Sequence, residues 1–244
     1  MTFTAEQLEI RALARDFAAN EIAPHSEAWD AQRALPEELF RSLAELGFMG
    51  MRIPEEYGGL DLDLPTYLLV LEEIARADAS VALSVAIHNG PVPALLMAYG
   101  SAEQKAAWLP RLASGELLGA FALSEADAGS DARALEATAT RGDDGWLLSG
   151  SKAWVTNGDR AGLVVLFARI PDHGVGCFLV DPTTEGYSAG ERVTTMGHRA
   201  SETVTVELDD VRVPDVGLVG EAGRGLSYAM ESLVLGRTGI AAQA

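Results

Sequence analysis

The stretch Leu117-Leu-Gly-Ala-Phe-Ala-Leu-Ser-Glu-Ala-Asp-Ala-Gly-Ser-Asp131 decides how this chain divides. Upstream of it, apolar residues recur at helical spacing; from Leu118 onward the period is two. On the helical side, Thr4 and Gln7 have the spacing of a capping box, and Ile10, Leu13 and Phe17 follow one helix face. Pro36 opens a second helix, with Leu39, Leu43 and Leu46 on one face and Gly47 as its stop. Leu68, Leu71 and Ala75 mark a third. Ser101 and Gln104 repeat the capping-box spacing before a helix that ends near Gly115. Residues 79–102 carry no Asp, Glu, Lys or Arg and are long enough to span a bilayer. Their centre holds His88, Asn89, Gly90, Pro91 and Pro93, so the stretch reads as two buried helices joined by a turn.

On the strand side, residues 118–123 are short and apolar. Thr138 and Thr140 lead into Asp144-Gly145, a hairpin-turn pair, and residues 146–149 return. Residues 163–168 and 175–180 read as buried strands. Residues 203–208 alternate, with Val204, Val206 and Leu208 on one face. Short strands parted by Gly, Asp and Pro turns predict a small β-barrel or sandwich. A new helical pattern starts at Leu226 and meets no stop signal before Ala244, leaving Leu233 and Ile240 in need of a partner surface. The expected organisation is multi-domain α and β: an all-α domain over residues 1–117, a β domain over 118–223, and over 224–244 the first helix of a C-terminal helical bundle.

Composition narrows the function. The 244 residues include 18 basic and 36 acidic side chains, a formal net charge of -18. Such a chain repels polyanions, which argues against a nucleic-acid partner or an anionic membrane surface. The single cysteine, Cys177, excludes an internal disulfide framework and fits a reducing compartment, and no signal-peptide pattern precedes the first helix. The expected location is cytoplasmic. The four histidines have no ligand spacing, so no metal site is expected. Ser130 lacks a nucleophile-elbow pattern, no phosphate-loop motif is present, and Gly220, Gly223 and Gly225 do not match a dinucleotide fingerprint. Two segments remain. In Phe121–Asp131, Ser124 and Ser130 offer hydroxyl donors, and Gly129 removes a side chain that would block close approach of a planar ligand. In Lys152-Ala-Trp-Val-Thr-Asn-Gly158, Trp154 and Thr156 fall on one strand face, placing an aromatic wall beside a hydroxyl. Spacing leaves two readings open, a ligand wall or a core tryptophan beside a bonded threonine.

Further segments join these two in a fixed order. They are Leu46-Gly-Phe48, Ile53-Pro-Glu-Glu-Tyr-Gly-Gly59, Leu112-Ala-Ser-Gly-Glu116, Leu123-Ser-Glu125, Ala128-Gly-Ser-Asp131 and Gly150-Ser-Lys152. Trp154-Val-Thr-Asn-Gly158, Met196-Gly-His-Arg199, Asp209-Asp-Val-Arg-Val-Pro214 and Gly236-Arg237 complete the set. Together they resemble the acyl-CoA dehydrogenase family of flavoenzymes over essentially the whole chain. The resemblance implies FAD lying between the middle domain and a C-terminal bundle. Phe121 to Ser130, Gly129 among them, would form the first flavin loop, with the Leu123 backbone and Ser124 bonding the pyrimidine end of the ring. Trp154 would flank the ring, Val155 would be among the cofactor-binding residues, and Thr156 would bond near flavin N5. Ser130 would also lie by the pantetheine arm of an acyl-CoA, and Arg237 near the bound acyl-CoA. Val234 departs from the Asp that many relatives carry three residues before that arginine.

The implied reaction is α,β-dehydrogenation of an acyl-CoA thioester to the trans-2-enoyl-CoA, with electrons passed to an electron-transfer flavoprotein by a homotetramer. Acyl-CoA oxidases, flavin monooxygenases and a non-catalytic flavin- or acyl-CoA-binding half of a split enzyme share the architecture. The family's base is a glutamate that in most members lies beyond the position of Ala244, and in a minority stands where this chain has Gly236. A base must reach the α-proton. The expectation is therefore no catalytic residue within these residues, and no dehydrogenation by them alone. The family's pocket floor includes the region of Ser84 to Asn89, which brings His88 and Asn89 into question as lining residues.

Overall fold

The computed structural model describes residues 2–244. Its first half is helical: α1 (Ala5–Phe17), α2 (Ser26–Gln32), α3 (Glu37–Glu45), α4 (Leu64–Ala77), α5 (Ala79–Asn89), α6 (Pro91–Tyr99) and α7 (Ala102–Ala113). The caps explain where these begin. Thr4 with Gln7 and Ser101 with Gln104 form reciprocal capping boxes, while the Asp63 and Asp78 carboxylates accept from first-turn N–H groups of α4 and α5. α2 was not anticipated: it has seven residues and its N-cap, His25, makes no side-chain cap bond. Pro36 sits just outside α3 as its N-cap rather than within the first turn.

The stretch Ala79–Tyr99 is long and apolar enough to cross a membrane. It breaks into α5 and α6 at Gly90, where ψ is -97°, and most of it is buried within the protein. α1 is fastened to α4 by charge. The Glu73 carboxylate, 1% exposed, receives Arg11 Nε at 2.6 Å and Arg15 Nη2 at 2.7 Å. Those guanidiniums, Arg15 foremost, hold its carboxyl down at about 2 against the opposing effect of burial.

The second half is one curled seven-stranded sheet rather than two packed sheets. Its strands are β1 (Gly119–Ala122), β2 (Thr138–Gly142), β3 (Gly145–Thr156), β4 (Leu163–Ile170), β5 (Gly174–Val180), β6 (Tyr187–Arg192) and β7 (Thr203–Val213). They run in the order β1-β4-β2-β3-β7-β6, with β5 on the other edge of β4. Gly142 pairs with Gly145, so the two-residue turn is Asp143-Asp144, one residue earlier than the sequence suggests. β6 has no apolar face, since every residue after Tyr187 is exposed, and periodicity gave no sign of it.

β4 is buried on both faces, which accounts for its unbroken apolar run. Leu163, Val165 and Phe167 face α6 and α7 in one core, with Val92, Leu95, Leu109 and Leu112. Val164, Leu166 and Ala168 fill the inside of the curl, with Val155, Val204 and Val206.

β1 and β2 share one edge of β4. Gly119–Ala122 pair in parallel with Leu163–Leu166, and Thr138 pairs in parallel with Arg169. Between them the chain leaves the sheet as an excursion over residues 123–137. α8 (Gly225–Gln243) then lies on α4, α5 and α6. A Cβ at Gly239 would sit 3.4 Å from both Leu71 and the Tyr67 hydroxyl, so the glycine permits the close approach. Gln243 Nε2 donates to the Ala79 carbonyl at 3.0 Å. Val234 and Ile240 stay exposed on the other side of α8.

Candidate functional site

The excursion over residues 123–137 has two fastened limbs and a free tip. On the outgoing limb, the Ser124 carbonyl accepts from Ala153 N–H at 2.8 Å, and Glu125 and Ala128 exchange backbone bonds at 3.1 and 3.2 Å. On the returning limb, the Arg169 guanidinium donates to the Arg133 carbonyl at 2.7 Å and the Leu135 carbonyl at 3.0 Å. Ala126, Asp127, Gly129 and Ser130 are left exposed, and nothing lies within 4 Å of a Cβ built on Gly129.

A buried ion pair ties both limbs to β3. Lys152 is fully buried; its Nζ donates to Glu125 Oε1 at 2.6 Å and to the Leu123 carbonyl at 3.3 Å. The same carboxylate accepts from Ala137 N–H at 3.0 Å and Glu136 N–H at 2.5 Å. Burial pushes the Lys152 ammonium below its usual range, and the hydrogen bond to Glu125 opposes that. Sequence reading placed Glu125 and Lys152 inside motifs without giving them a task. The available signal was a lysine in a chain with only two, set between a glycine turn and an apolar strand end.

Immediately after Lys152 the register of β3 against β7 shifts, and Trp154 adopts φ 54°. That bulge turns the indole out of the sheet, leaving it 55% exposed. The core-tryptophan alternative is thereby eliminated. Thr156 is half-buried, its hydroxyl 3.5 Å from that of Thr203. Val155 points the other way and is fully buried within the curl, so its side chain faces no ligand and only its backbone is available. Phe121 lies in β1, half-buried, with its ring 5.0 Å from that of Phe167. Leu123 is buried by its side chain and engaged at its carbonyl.

A cleft of about 850 Å³ opens between the excursion and α8. Leu123, Ser124, Gly129, Ser130 and Arg237 all line it, joined by Arg133, Met230 and Glu231. Trp154, Val155 and Thr156 lie outside this lining, at the end of β3 that follows Ala153, with Trp154 and Thr156 on its outer side. The Tyr99 hydroxyl donates to Glu231, which pushes the phenol up to about 12.

His88 and Asn89 are not lining residues. Both are fully buried struts. His88 Nε2 faces the Met49 carbonyl at 2.8 Å and the Leu112 carbonyl at 3.2 Å, so it carries the proton; Nδ1 accepts from Gly119 N–H at 3.0 Å. Burial holds this imidazole at about 4, against the smaller contrary effect of those carbonyls. Asn89 accepts from Met51 N–H at 2.9 Å and donates to the Phe48 carbonyl at 2.9 Å. Asn157, at φ 65°, donates to the Ser84 and Gly119 carbonyls at 3.2 Å each, a second tie between α5 and β1. Among the described residues, no group of three or more His, Cys, Asp or Glu is placed to hold a metal ion.

The donor set fits the ring end of a flavin. An exposed indole stands beside half-buried hydroxyls, and among the described residues the Ser124 N–H makes no hydrogen bond within the chain. A planar heteroaromatic ring offers an apolar face and edge acceptors to such a set. An all-α domain and a curled β sheet with a ligand cleft against a following helix define a two-part flavoenzyme scaffold.

Comparison with known proteins gives that class its family. Residues 4–116 match the acyl-CoA dehydrogenase N-terminal domain and residues 120–211 the acyl-CoA dehydrogenase middle domain. An acyl-CoA dehydrogenase of Bacillus subtilis (strain 168) is 39% identical over 248 residues, covering 100% of this chain and 65% of that protein. The structure of butyryl-CoA dehydrogenase from Megasphaera elsdenii superposes with a TM-score of 0.96 at 35% identity, covering 100% of this chain and 66% of that one. An acyl-CoA dehydrogenase complexed with FAD from Bacillus anthracis gives 0.94 at 33% identity, covering 99% of this chain and 42% of that one. The chain belongs to the acyl-CoA dehydrogenase family. It spans less than two thirds of the length of these relatives.

Proposed function

We propose that this chain supplies the flavin- and thioester-binding part of an FAD-dependent acyl-CoA dehydrogenase, acting on an acyl-CoA in the cytoplasm and passing electrons to an electron-transfer flavoprotein within a homotetramer. The exposed Trp154, next to the Ala153 whose N–H bonds the Ser124 carbonyl, carries this reading. FAD, when bound, supplies the hydride acceptor for the β-hydrogen of the acyl chain. Ser124 and the Leu123 backbone orient the pyrimidine edge of the ring. Trp154 covers a face and excludes water from it, and Thr156 offers its hydroxyl toward the N5 side. Ser130 and Arg237 line the cleft that takes the thioester, with Ser130 toward the pantetheine arm and Arg237 toward the acyl-CoA. Val234 stands where many relatives carry Asp, so this chain does not supply one polar contact to the substrate that they have.

The test is titration of the protein with FAD, followed by flavin fluorescence. Trp154→Ala should weaken binding about 5- to 10-fold, the scale of one lost aromatic contact. A non-reactive thioether analogue of an acyl-CoA should then shift the flavin absorbance, and Arg237→Ala should weaken that response while leaving FAD affinity alone. FAD binding that ignores Trp154, or analogue binding that ignores Arg237, would sink the assignment.

A further inference from the structure

The ion pair Lys152–Glu125 lies beneath the Leu123–Ser124 peptide, outside the lining of the cleft. Its geometry nevertheless reaches the site through one peptide. The C=O and N–H of a trans peptide point in opposite directions. Leu123 C=O points into the protein, onto the Lys152 ammonium. The N–H of that same peptide belongs to Ser124, and it therefore points out toward the cleft that Ser124 lines. It makes no bond within the chain among the described residues. Lys152 thus does two things at once. It fixes which side of the Leu123–Ser124 peptide faces the ligand, and it draws electron density from the carbonyl, which strengthens the N–H as a donor.

Glu125 completes the arrangement. Its carboxylate accepts from Lys152 Nζ, opposing the effect of burial on that amine, and clips the returning limb at Glu136 and Ala137. Besides the pair, the Ser124–Ala153 bond, Arg169 and the buried Leu123, Ala128 and Leu135 side chains hold the excursion to the sheet. A buried ion pair of this kind is weak evidence for stability as such, because desolvation offsets much of the attraction. Specificity of position is the better account.

We propose that Lys152 and Glu125 are positioning residues that preset the Leu123–Ser124 peptide as a polarised donor to the pyrimidine edge of the flavin and so raise the reduction potential of the bound ring. This rests on the flavin reading above. A donor at that edge favours the reduced ring, which carries more negative charge there, over the oxidised one.

The decisive variant is the double neutral one, Lys152→Met with Glu125→Gln, which leaves no buried charge unpaired; Glu125→Gln alone, which leaves Lys152 without its carboxylate, is the companion. Three readouts are taken. Amide exchange over residues 123–137 in the flavin-free protein should quicken about tenfold in the double variant. FAD should bind about tenfold more weakly. The midpoint potential of the bound flavin should fall by about 30 mV, the equivalent of a tenfold change in relative affinity for the two redox states. Glu125→Gln alone strands the Lys152 ammonium and should move loop exchange and FAD affinity in the same direction by at least as much. Unchanged loop exchange overturns the anchor, and an unchanged potential with weakened binding overturns the polarised-donor role. If the unaltered protein takes up no FAD, the flavin reading fails, and loop exchange alone then decides whether the pair fixes the excursion.

Discussion

Acidification from pH 7 to pH 5 should loosen the seam between the helices and the sheet at one residue, His88. The imidazole is fully buried and bonded to three backbone groups from three places: the loop after α3, the end of α7 and the first residue of β1. Its Nδ1 accepts from Gly119, so a second proton has nowhere to go without breaking that bond. The folded-state value is about 4 against 6.5 for a free imidazole. A depressed folded value contributes stability that is complete above pH 6.5 and is lost as the pH falls through 4. Linkage over that window gives about 2 kcal/mol lost between pH 7 and pH 5, and about 3 kcal/mol in all. Urea unfolding of the unaltered protein and of His88→Gln at half-unit steps measures it. The unaltered protein should lose about 2 kcal/mol more than the variant between pH 7 and pH 5. The imidazole Cε1–H resonance absent from the variant should hold its shift down to pH 5. Parallel pH profiles for the two proteins, or a midpoint at or above pH 6 for that resonance, would refute the reasoning.

Three other outcomes follow from named contacts. Glu73→Gln removes the charge that Arg11 and Arg15 grip and should cost about 2 kcal/mol at pH 7, read by denaturant midpoint; because the folded carboxyl is depressed, the difference from the unaltered protein should shrink as the pH falls below 4.5 toward 2. Cys177 is fully buried and its thiol is pushed well up by burial, so a disulfide reagent should find it unreactive in native buffer and fully reactive in denaturant; rapid native labelling would contradict the core assignment. Asn157→Ala loses two hydrogen bonds, one to α5 and one to β1, and places a Cβ residue at φ 65° with no side chain to compensate, for a cost of about 2–4 kcal/mol, and Asn157→Gly should recover about 1 kcal/mol of that by relieving only the backbone part.

The sequence was most legible where one physical requirement acts locally. Capping boxes at Thr4 and Ser101, the break at Gly90 and the alternation of Val204, Val206 and Leu208 each follow from a few neighbouring residues. β6 escaped because an exposed edge strand has no burial to pattern it. The hairpin turn slipped by one residue because Asp143 and Asp144 are chemically alike. In the site, Ser124, Gly129, Ser130 and Arg237 converge although more than a hundred residues separate the first from the last. Only a whole-chain resemblance could suggest that meeting. Val155 and Trp154 were grouped by adjacency, yet strand alternation sends one inward and the bulge sends the other outward. Lys152 and Glu125 could not be paired from sequence, since their contact depends on the sheet bringing β3 under the root of the excursion.

That excursion leaves from and returns to the same edge of β4. The sheet's ladder therefore resumes at Thr138 whatever the intervening chain does. The tip at residues 126–132 behaves as an exchangeable cassette on a fixed socket. Apart from the buried Ala128, its side chains can drift without any strand changing register. Changes at this tip can thus retune what the cleft recognises while the strand pairing on either side of it stays the same.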